Sequence, residues 1–344
     1  MYEAFYGLSG KPFQLNPDPE FFFASRGHAR AYAYLQYGLY QSEGFIVVTG
    51  EVGAGKTTLV RSLLKRLDPS KVVAAQIVTT QLDAEDLLRA VAGAFGVPAR
   101  TTDKAQLLAN LEAFFVSLVP ERKRALLVVD EAQNLTARAV EELRMLSNFQ
   151  LDNRALLQSF LVGQPELRQV LHSGQLQQLR QRVIASYHLG PMDSAETHPY
   201  VEHRLKHVGW KGDPAFDADA FDAIFGASGG IPRRVNLVCN RVMLAGYLAE
   251  KHQIGAADVR SVANEIQKEL GPETIINPMA AVAPAARPAP ANLPVPIGQM
   301  RATETDFAKL EERVTRLERL LHSTVSLVHT LIERENQNKS SRKG

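Results

Sequence analysis

The segment that most constrains this chain is residues 50–57, whose sequence GEVGAGKT fits the pattern G-x-x-x-x-G-K-[ST]. An apolar run precedes it at residues 45–49, and the helix-like stretch TLVRSLLKRL follows it. In this strand–loop–helix setting the glycines let the backbone wrap closely, so that N–H groups and the helix N-terminus face phosphate groups. We therefore predict a P-loop that binds phosphates through Gly50, Glu51, Val52, Gly53, Ala54, Gly55, Lys56, Thr57 and Thr58.

The first half of the chain alternates short apolar runs with helix-like stretches. Such alternation is typical of an α/β layer with a mostly parallel sheet. Ordinary globular composition agrees, since 45% of the residues are hydrophobic and 22% are charged. The pattern predicts a five-stranded parallel sheet, with strands at residues 45–49, 72–77, 125–129, 159–162 and 184–189.

Two carboxylates follow the third predicted strand in the run ALLVVDEAQ. Open α/β folds bind ligands at the carboxyl edge of the sheet, where this strand ends. We predict that Asp130 and the Thr57 hydroxyl hold Mg²⁺, that Lys56 contacts the β- and γ-phosphates of ATP, and that Glu131 polarises the attacking water. The alternative is that Asp130 and Glu131 only cap the helix that follows.

Beyond the predicted nucleotide-binding domain (1–190) the pattern changes. Residues 191–270 have the helical periods and caps of a small all-helical domain. Residues 271–303 are rich in proline and alanine, which predicts a semi-extended linker. Residues 304–335 carry a heptad seam with mixed charges, which predicts a coiled-coil helix; a lone amphipathic helix on its own protein or a membrane surface is the alternative. We expect the tail, 336–344, to be disordered.

Six motifs occur in a fixed order: GEVGAGKTTL, LLVVDEAQNL, EELRMLSNFQ, FLVGQPEL, LRQRV and GGIPRRVN. Together they resemble the AAA+ ATPases of the ExeA/general secretion pathway protein A group, and within it the XrtA (exosortase)/PEP-CTERM system-associated ATPase. The resemblance covers about residues 1–270. It implies a three-layer P-loop AAA+ fold with a helical lid, and ATP hydrolysis. It also implies a homo-oligomer, either a ring or an assembly that depends on nucleotide, and a partner in envelope export or exopolysaccharide assembly.

The resemblance also implies roles for single residues. Gln164 matches the sensor that orients the hydrolytic water, although a polar turn at the strand end would look the same. Arg182 matches an arginine finger that reaches a neighbouring subunit, with Arg180 as the substitute. Arg233 matches the lid arginine that contacts nucleotide, and Arg234 could be confused with it. The alternative for the finger candidates is a solvated helix face.

The chain departs from many general secretion pathway A proteins, which carry a transmembrane helix and a peptidoglycan-binding domain after the ATPase. In this chain the predicted linker and heptad segment follow the ATPase instead. We therefore expect the coiled coil to bind a partner that connects the ATPase to the envelope. The N-terminus lacks the layout of a signal peptide, and no run of about 18 apolar residues is present. With a single cysteine, this favours a cytoplasmic location, at most peripheral at the inner membrane through a partner.

Two rival functions use the same motifs. A nucleic-acid-binding ATPase of transposition or replication-initiator type shares the P-loop and helical lid, but 39 Lys and Arg against 37 Asp and Glu give no general pull toward nucleic acid. A nucleotide-gated scaffold with negligible turnover would require Gln164 or Arg182 to be misassigned. We therefore expect an ATPase without a nucleic-acid partner.

Two other groups are predicted to be structural. His203 and His207 lie one helical turn apart, but no third ligand completes a zinc pattern. Three consecutive aromatic residues near a domain start more often pack than bind, so we predict that Phe21, Phe22 and Phe23 belong to the core.

Overall fold

A five-stranded parallel sheet forms the centre of the structure, a computed structural model that describes residues 1–78, 82–99, 103–152, 154–172 and 176–271. The predicted linker beyond residue 271, coiled-coil helix and tail lie outside the described residues. In chain order the elements up to the third strand are α1 (Tyr2–Phe5), α2 (Arg26–Gln41), β1 (Phe45–Gly50), α3 (Lys56–Lys65), β2 (Val72–Val78), α4 (Ala84–Ala94), α5 (Lys104–Leu118) and β3 (Arg124–Asp130).

The second half of the sheet layer adds two long strands and three short helices. Its elements are α6 (Ala137–Leu146), the short antiparallel pair β4 (Gln150–Leu151) and β5 (Arg154–Ala155), β6 (Leu157–Gly163), α7 (Glu166–His172), α8 (Gln177–Arg180) and β7 (Val183–Leu189). The strand order is β2-β3-β6-β1-β7, and all four pairings are parallel. The prediction of five parallel strands is confirmed, and each predicted run lies inside an observed strand.

Strand β1 shows how the sheet is held between two helical layers. Successive side chains of a strand point to opposite faces. Phe45 and Val47 pack in the cluster that contains α4, α5 and α6, whereas Ile46 and Val48 pack in the cluster that contains α2 and α3. A Cβ at Gly38 of α2 would lie 1.8 Å from Ile46 Cδ1, so only glycine lets this helix approach so closely. The centre of the sheet is therefore buried on both faces.

A helical segment follows β7. It comprises α9 (Ser194–His207), α10 (Ala218–Ser228), α11 (Pro232–Leu248) and α12 (Ala256–Leu270), with a short parallel pair of β8 (Ala215–Phe216) and β9 (Gln253–Ile254) between them. Asp193 caps α9, accepting the Glu196 N–H at 2.9 Å, while the Glu196 carboxylate receives the Asp193 N–H. The predicted helical lid is confirmed, and the β8–β9 pair is an addition that periodicity did not indicate.

The lid core is not built from the lid helices alone. Side chains of α9 to α12 form one buried cluster with Tyr2, Tyr6, Leu8 and Phe13 from the start of the chain. The Tyr2 hydroxyl donates to Asn240 Oδ1 at 2.8 Å, which ties α1 to α11. The chain therefore begins in the lid and only then enters the sheet layer. Among the described residues, every helix is too short or too polar to cross a bilayer.

Candidate functional site

The P-loop connects β1 to α3 as predicted. Gly53 and Gly55 have φ angles of +82° and +95°, which glycine adopts at little cost. Lys56, the first residue of α3, is 6% exposed. Its Nζ donates to Gly50 O at 2.7 Å and to Glu51 O at 3.0 Å. The lysine therefore holds the loop in a closed curve at the end of β1.

The electrostatic surroundings of Lys56 suit an anionic ligand. Burial lowers the pKa of its ammonium group, because the charged form is desolvated, and the nearby carboxylates of Glu131 and Asp130 oppose this shift. Strand β3 ends beside β1's neighbour β6, so these carboxylates reach the same edge of the sheet as the P-loop. The site thus combines a buried cation with two acids at its border.

Thr57 and Asp130 form the part of the site that suits a metal ion. The Thr57 hydroxyl donates to Asp130 Oδ2 at 2.9 Å, and Asp130 is 4% exposed. Burial raises the Asp130 pKa, while the hydrogen bond from Thr57 opposes the rise. Mg²⁺ prefers hard oxygen ligands and is often held by one or two protein groups plus phosphate oxygens and water. The hydroxyl and carboxylate therefore fit Mg²⁺.

The described part of the chain contains no cluster of three or more His, Cys, Asp or Glu side chains placed to hold a metal ion. Within these residues, His203 and His207 belong to no such cluster. Their rings pack instead on aromatic neighbours, His207 against Phe21 with centroids 4.2 Å apart and His203 against Phe23 at 5.5 Å.

Glu131 and Gln164 meet at the carboxyl edge of the sheet. The Gln164 Nε2 donates to Glu131 Oε2 at 3.2 Å, although the two residues follow different strands. Glu131 adopts a φ of +53°, an uncommon backbone conformation for a residue with a side chain. Its carboxylate borders the nucleotide cleft together with Lys56 and Thr57. This arrangement places the proposed base next to the proposed sensor.

The lid touches the P-loop at the start of α11. The Arg233 N–H donates to Gly53 O at 3.1 Å, and a Cβ at Gly53 would lie 2.3 Å from Arg233 Cβ. Gly53 is therefore required both for its positive φ and for this close approach. The exposed side chain of Arg233 borders the cleft, whereas Arg234 is not among the cleft-lining residues. The structure favours Arg233 over Arg234 as the lid arginine.

His28 is a cleft residue that the sequence interpretation did not single out. Its ring is 5% exposed, with Nδ1 2.8 Å from Ser25 Oγ and Nε2 3.1 Å from Ala54 O. Desolvation lowers the His28 pKa, which favours the neutral ring. A Cβ at Gly55 would lie 2.7 Å from His28 Nε2, so the glycine also makes room for the imidazole. His28 therefore links α2 to the P-loop.

The three aromatic residues before α2 also border the cleft. Phe21, Phe22 and Phe23 are each partly buried. Phe21 and Phe23 pack against the lid cluster, whereas Phe22 packs against the cluster of α2 and α3. The three residues thus pack against the two clusters and also form part of the wall of the cleft between the lid and the P-loop.

The two candidates for the arginine finger lie away from the cleft of their own chain. Arg182 Nη1 donates to Ser147 Oγ at 2.9 Å, and its carbonyl accepts the Phe45 N–H at the amino end of β1. The P-loop follows the opposite end of that strand. Arg180 is exposed at the end of α8. Neither residue lines the cleft of its own chain, so a finger role would require action on another subunit, and it stays a prediction.

Replacing His28 by Ala is expected to raise the Kd for ATP about fivefold. The change removes the ring bonded to Ala54, and a hydrogen bond contributes about 1 kcal/mol. Isothermal titration of purified protein measures this. The control is His252→Ala, which removes an exposed imidazole bonded to Asp213. An unchanged Kd in the His28 variant would show that the P-loop conformation does not depend on this contact.

The chain is similar to known proteins in two comparisons of its sequence. Residues 39–171 match the AAA domain family. Over 267 residues the chain is 39% identical to general secretion pathway protein A of Aeromonas hydrophila, covering 77% of this chain and 48% of that protein. The chain thus spans about half the length of this relative.

The fold also resembles those of solved structures. The ADP form of the Aeropyrum pernix ORC2 protein has a TM-score of 0.58 at 19% identity, covering 75% of this chain and 73% of that chain. Cdc6p from Pyrobaculum aerophilum has a TM-score of 0.58 at 17% identity, covering 77% of this chain and 71% of that chain. At such identity the likeness shows a P-loop AAA fold and nothing about the ligand or partner.

Proposed function

We propose that this chain, which has a P-loop AAA fold and is similar to general secretion pathway protein A, hydrolyses ATP to drive or regulate export or assembly at the cell envelope. The observation that carries this proposal is that Lys56, Thr57 and Glu131 line one cleft between the sheet and the lid, where Thr57 also donates to Asp130. A nucleotide-gated scaffold would need the phosphate-binding groups but not the acid at the water position.

The proposed mechanism assigns each group one task. Lys56 would bind the β- and γ-phosphates, and Thr57 with Asp130 would hold Mg²⁺, which would neutralise charge on the phosphate oxygens. Glu131 accepts a hydrogen bond from the attacking water and takes up its proton, which makes the water oxygen more nucleophilic. Gln164 orients that water. Arg233 contacts the nucleotide from the lid. Because the Arg233 backbone N–H also donates to Gly53 O, movement of the lid would move the P-loop directly.

The cellular process is inferred from the order of motifs and from the C-terminal sequence. We infer an exosortase-linked exopolysaccharide or protein export system, to which the predicted coiled-coil helix at residues 304–335 attaches the ATPase. Deleting the gene should lower the amount of polymer or protein at the envelope. The full-length chain should restore it, whereas a chain ending at residue 271 should release phosphate from ATP at a rate within about twofold of wild type yet fail to restore export. Restoration by the shortened chain would rule out the heptads as the attachment segment.

We also infer that the ATPase works as a homo-oligomer in which Arg182 of one subunit acts on its neighbour's nucleotide. The Arg182→Ala protein should bind ATP normally but lose about 10³-fold or more in turnover, because an arginine supplied in trans stabilises the transition state. Phosphate release is the measurement. Mixing Arg182→Ala subunits with Glu131→Gln subunits should restore part of the activity, since some interfaces then carry both groups.

The matched control for this experiment is Arg180→Ala, an exposed arginine two residues earlier. A drop in turnover confined to the Arg180 variant would move the finger role to that residue. Wild-type hydrolysis by both variants would contradict any finger in this segment.

A further inference from the structure

The 3-10 turn at Ala132–Asn134, which follows the end of β3 after one intervening residue, carries a side chain to which the proposed mechanism assigns no task. This is Gln133, whose carboxamide lies between the proposed base and the proposed sensor. Its Nε2 donates to Glu131 Oε2 at 2.7 Å, and its Oε1 accepts the Gln164 N–H at 3.0 Å. The side chain thus uses its donor on one partner and its acceptor on the other.

A third hydrogen bond closes the arrangement. Gln164 Nε2 donates to the same Glu131 Oε2 at 3.2 Å. Each of the three residues is therefore bonded to the other two. Two amide donors on one carboxylate oxygen fix the direction of the carboxylate group, which a single exposed bond would leave free to rotate. The position of Glu131 is set by this triangle as well as by its own backbone.

The backbone is shaped to permit the triangle. Gly163 is the last residue of β6, and a Cβ there would lie 2.7 Å from Gln133 Oε1 and 2.9 Å from Leu167 Cδ2. Glycine at this position thus leaves the space that the Gln133 amide occupies. On the other side, Glu131 adopts its φ of +53°, which turns the chain sharply between β3 and the 3-10 turn. Both features bring residues of two strands into one small network.

We propose that Gln133 is a positioning residue for ATP hydrolysis, one that holds Glu131 and Gln164 in a fixed relation to each other. Glu131 borders the nucleotide cleft, whereas half-buried Gln133 is not among the cleft-lining residues. Gln133 therefore acts through its two partners and not on the nucleotide. This inference rests on the proposed function, because it needs Glu131 to polarise the attacking water.

Gln133→Leu tests the proposal, since leucine has nearly the same size and neither polar group. In the full-length chain this variant should lower kcat about tenfold to a hundredfold, because small displacements of a reacting group cost that much. Its Kd for ATP should stay within twofold of wild type. In a Glu131→Gln background the same change should lower the residual turnover by a much smaller factor, since the carboxylate that it positions is already gone.

Gly163→Ala provides a second route to the same state without touching Gln133. The added methyl group occupies the place of the Gln133 amide, so this variant should also lose kcat and keep its Kd. The matched control is Gln106→Leu, which changes an exposed glutamine on α5 that bonds Asn110. Thermal unfolding of every variant checks that the fold persists, and the Gly163 variant decides the question if the Gln133 variant does not fold.

The outcomes separate this inference from the proposed function. Wild-type kcat in both Gln133→Leu and Gly163→Ala, with Glu131→Gln inactive, overturns the positioning role alone. An equal further loss from Gln133→Leu in the Glu131→Gln background also overturns it, because the effect would not pass through the carboxylate. Full activity of Glu131→Gln itself contradicts the proposed base, and with it both ideas.

Discussion

Replacing Lys56 by Ala is expected to raise the Kd for ATP at least about a hundredfold. Each hydrogen bond from a charged donor contributes about 1.5–3 kcal/mol, and the lysine is expected to contact two phosphates. In the structure its Nζ already lies inside the P-loop, bonded to Gly50 O and Glu51 O. Titration with a fluorescent ATP analogue measures the loss, and phosphate release should fall with it.

The Lys56 variant must also be shown to fold, because two buried carbonyls lose their donor. Such loss costs about 1–3 kcal/mol of stability, so a lowered Tm with retained secondary structure is expected. Lys65→Ala is the control: it removes a lysine from the last turn of the same helix, where the side chain is 61% exposed and pairs with Glu20. Tight ATP binding by a folded Lys56→Ala protein would show that the P-loop assignment is mistaken.

Replacing Glu131 by Gln should stop turnover while leaving ATP bound. A neutral amide cannot accept the proton of the attacking water, and loss of a general base lowers rates by about 10²–10⁴-fold. The binding groups Lys56 and Thr57 are untouched, so the Kd should stay within about twofold. Single-turnover phosphate release and equilibrium titration separate the two effects.

The control for the carboxylate is Glu85→Gln on α4. This glutamate is 62% exposed and pairs with Arg89 on the same helix, and such surface pairs contribute little. Its turnover should match that of wild type. If Glu131→Gln keeps full phosphate release, the acid that follows β3 is not the base, although the protein still hydrolyses ATP.

The positions of the strands and of the P-loop could be predicted because each depends on a short, continuous segment of the sequence. Each strand is a short apolar run flanked by polar residues, so its position depends on neighbours in sequence. The observed strands extend the predicted runs by a residue or two, as at β6, Leu157–Gly163 against residues 159–162. The P-loop is also one continuous segment, whose glycines and lysine have fixed spacing. Fold class and binding site therefore followed from patterns that span fewer than ten residues.

The contacts around the site were not predictable in the same way. His28 bonds Ala54 across 26 positions, and Gln133 bonds the Gln164 backbone across 31. Neither side chain has an unusual sequence context, since a histidine in an amphipathic helix or a glutamine after DEA can equally face solvent. The positive φ of Glu131 and the small residue at Gly163 permit the Gln133 contact only when β3 and β6 lie side by side, and the His28 contact needs α2 to pack beside the P-loop. Such contacts depend on which elements are neighbours in the fold, and the sequence pattern of each element alone does not reveal this.

The start of the chain has a consequence for how the protein reaches this fold. Tyr2, Tyr6, Leu8 and Phe13 precede the sheet layer in sequence, but their partners in α9 to α12 follow it. The Tyr2 hydroxyl and Asn240 are separated by 238 positions. Contacts of such long sequence separation form late, because the loop between them must close first. These four apolar side chains therefore have no core to pack in until α9 to α12 have been translated, and we expect the lid to complete its folding after the sheet layer that interrupts it.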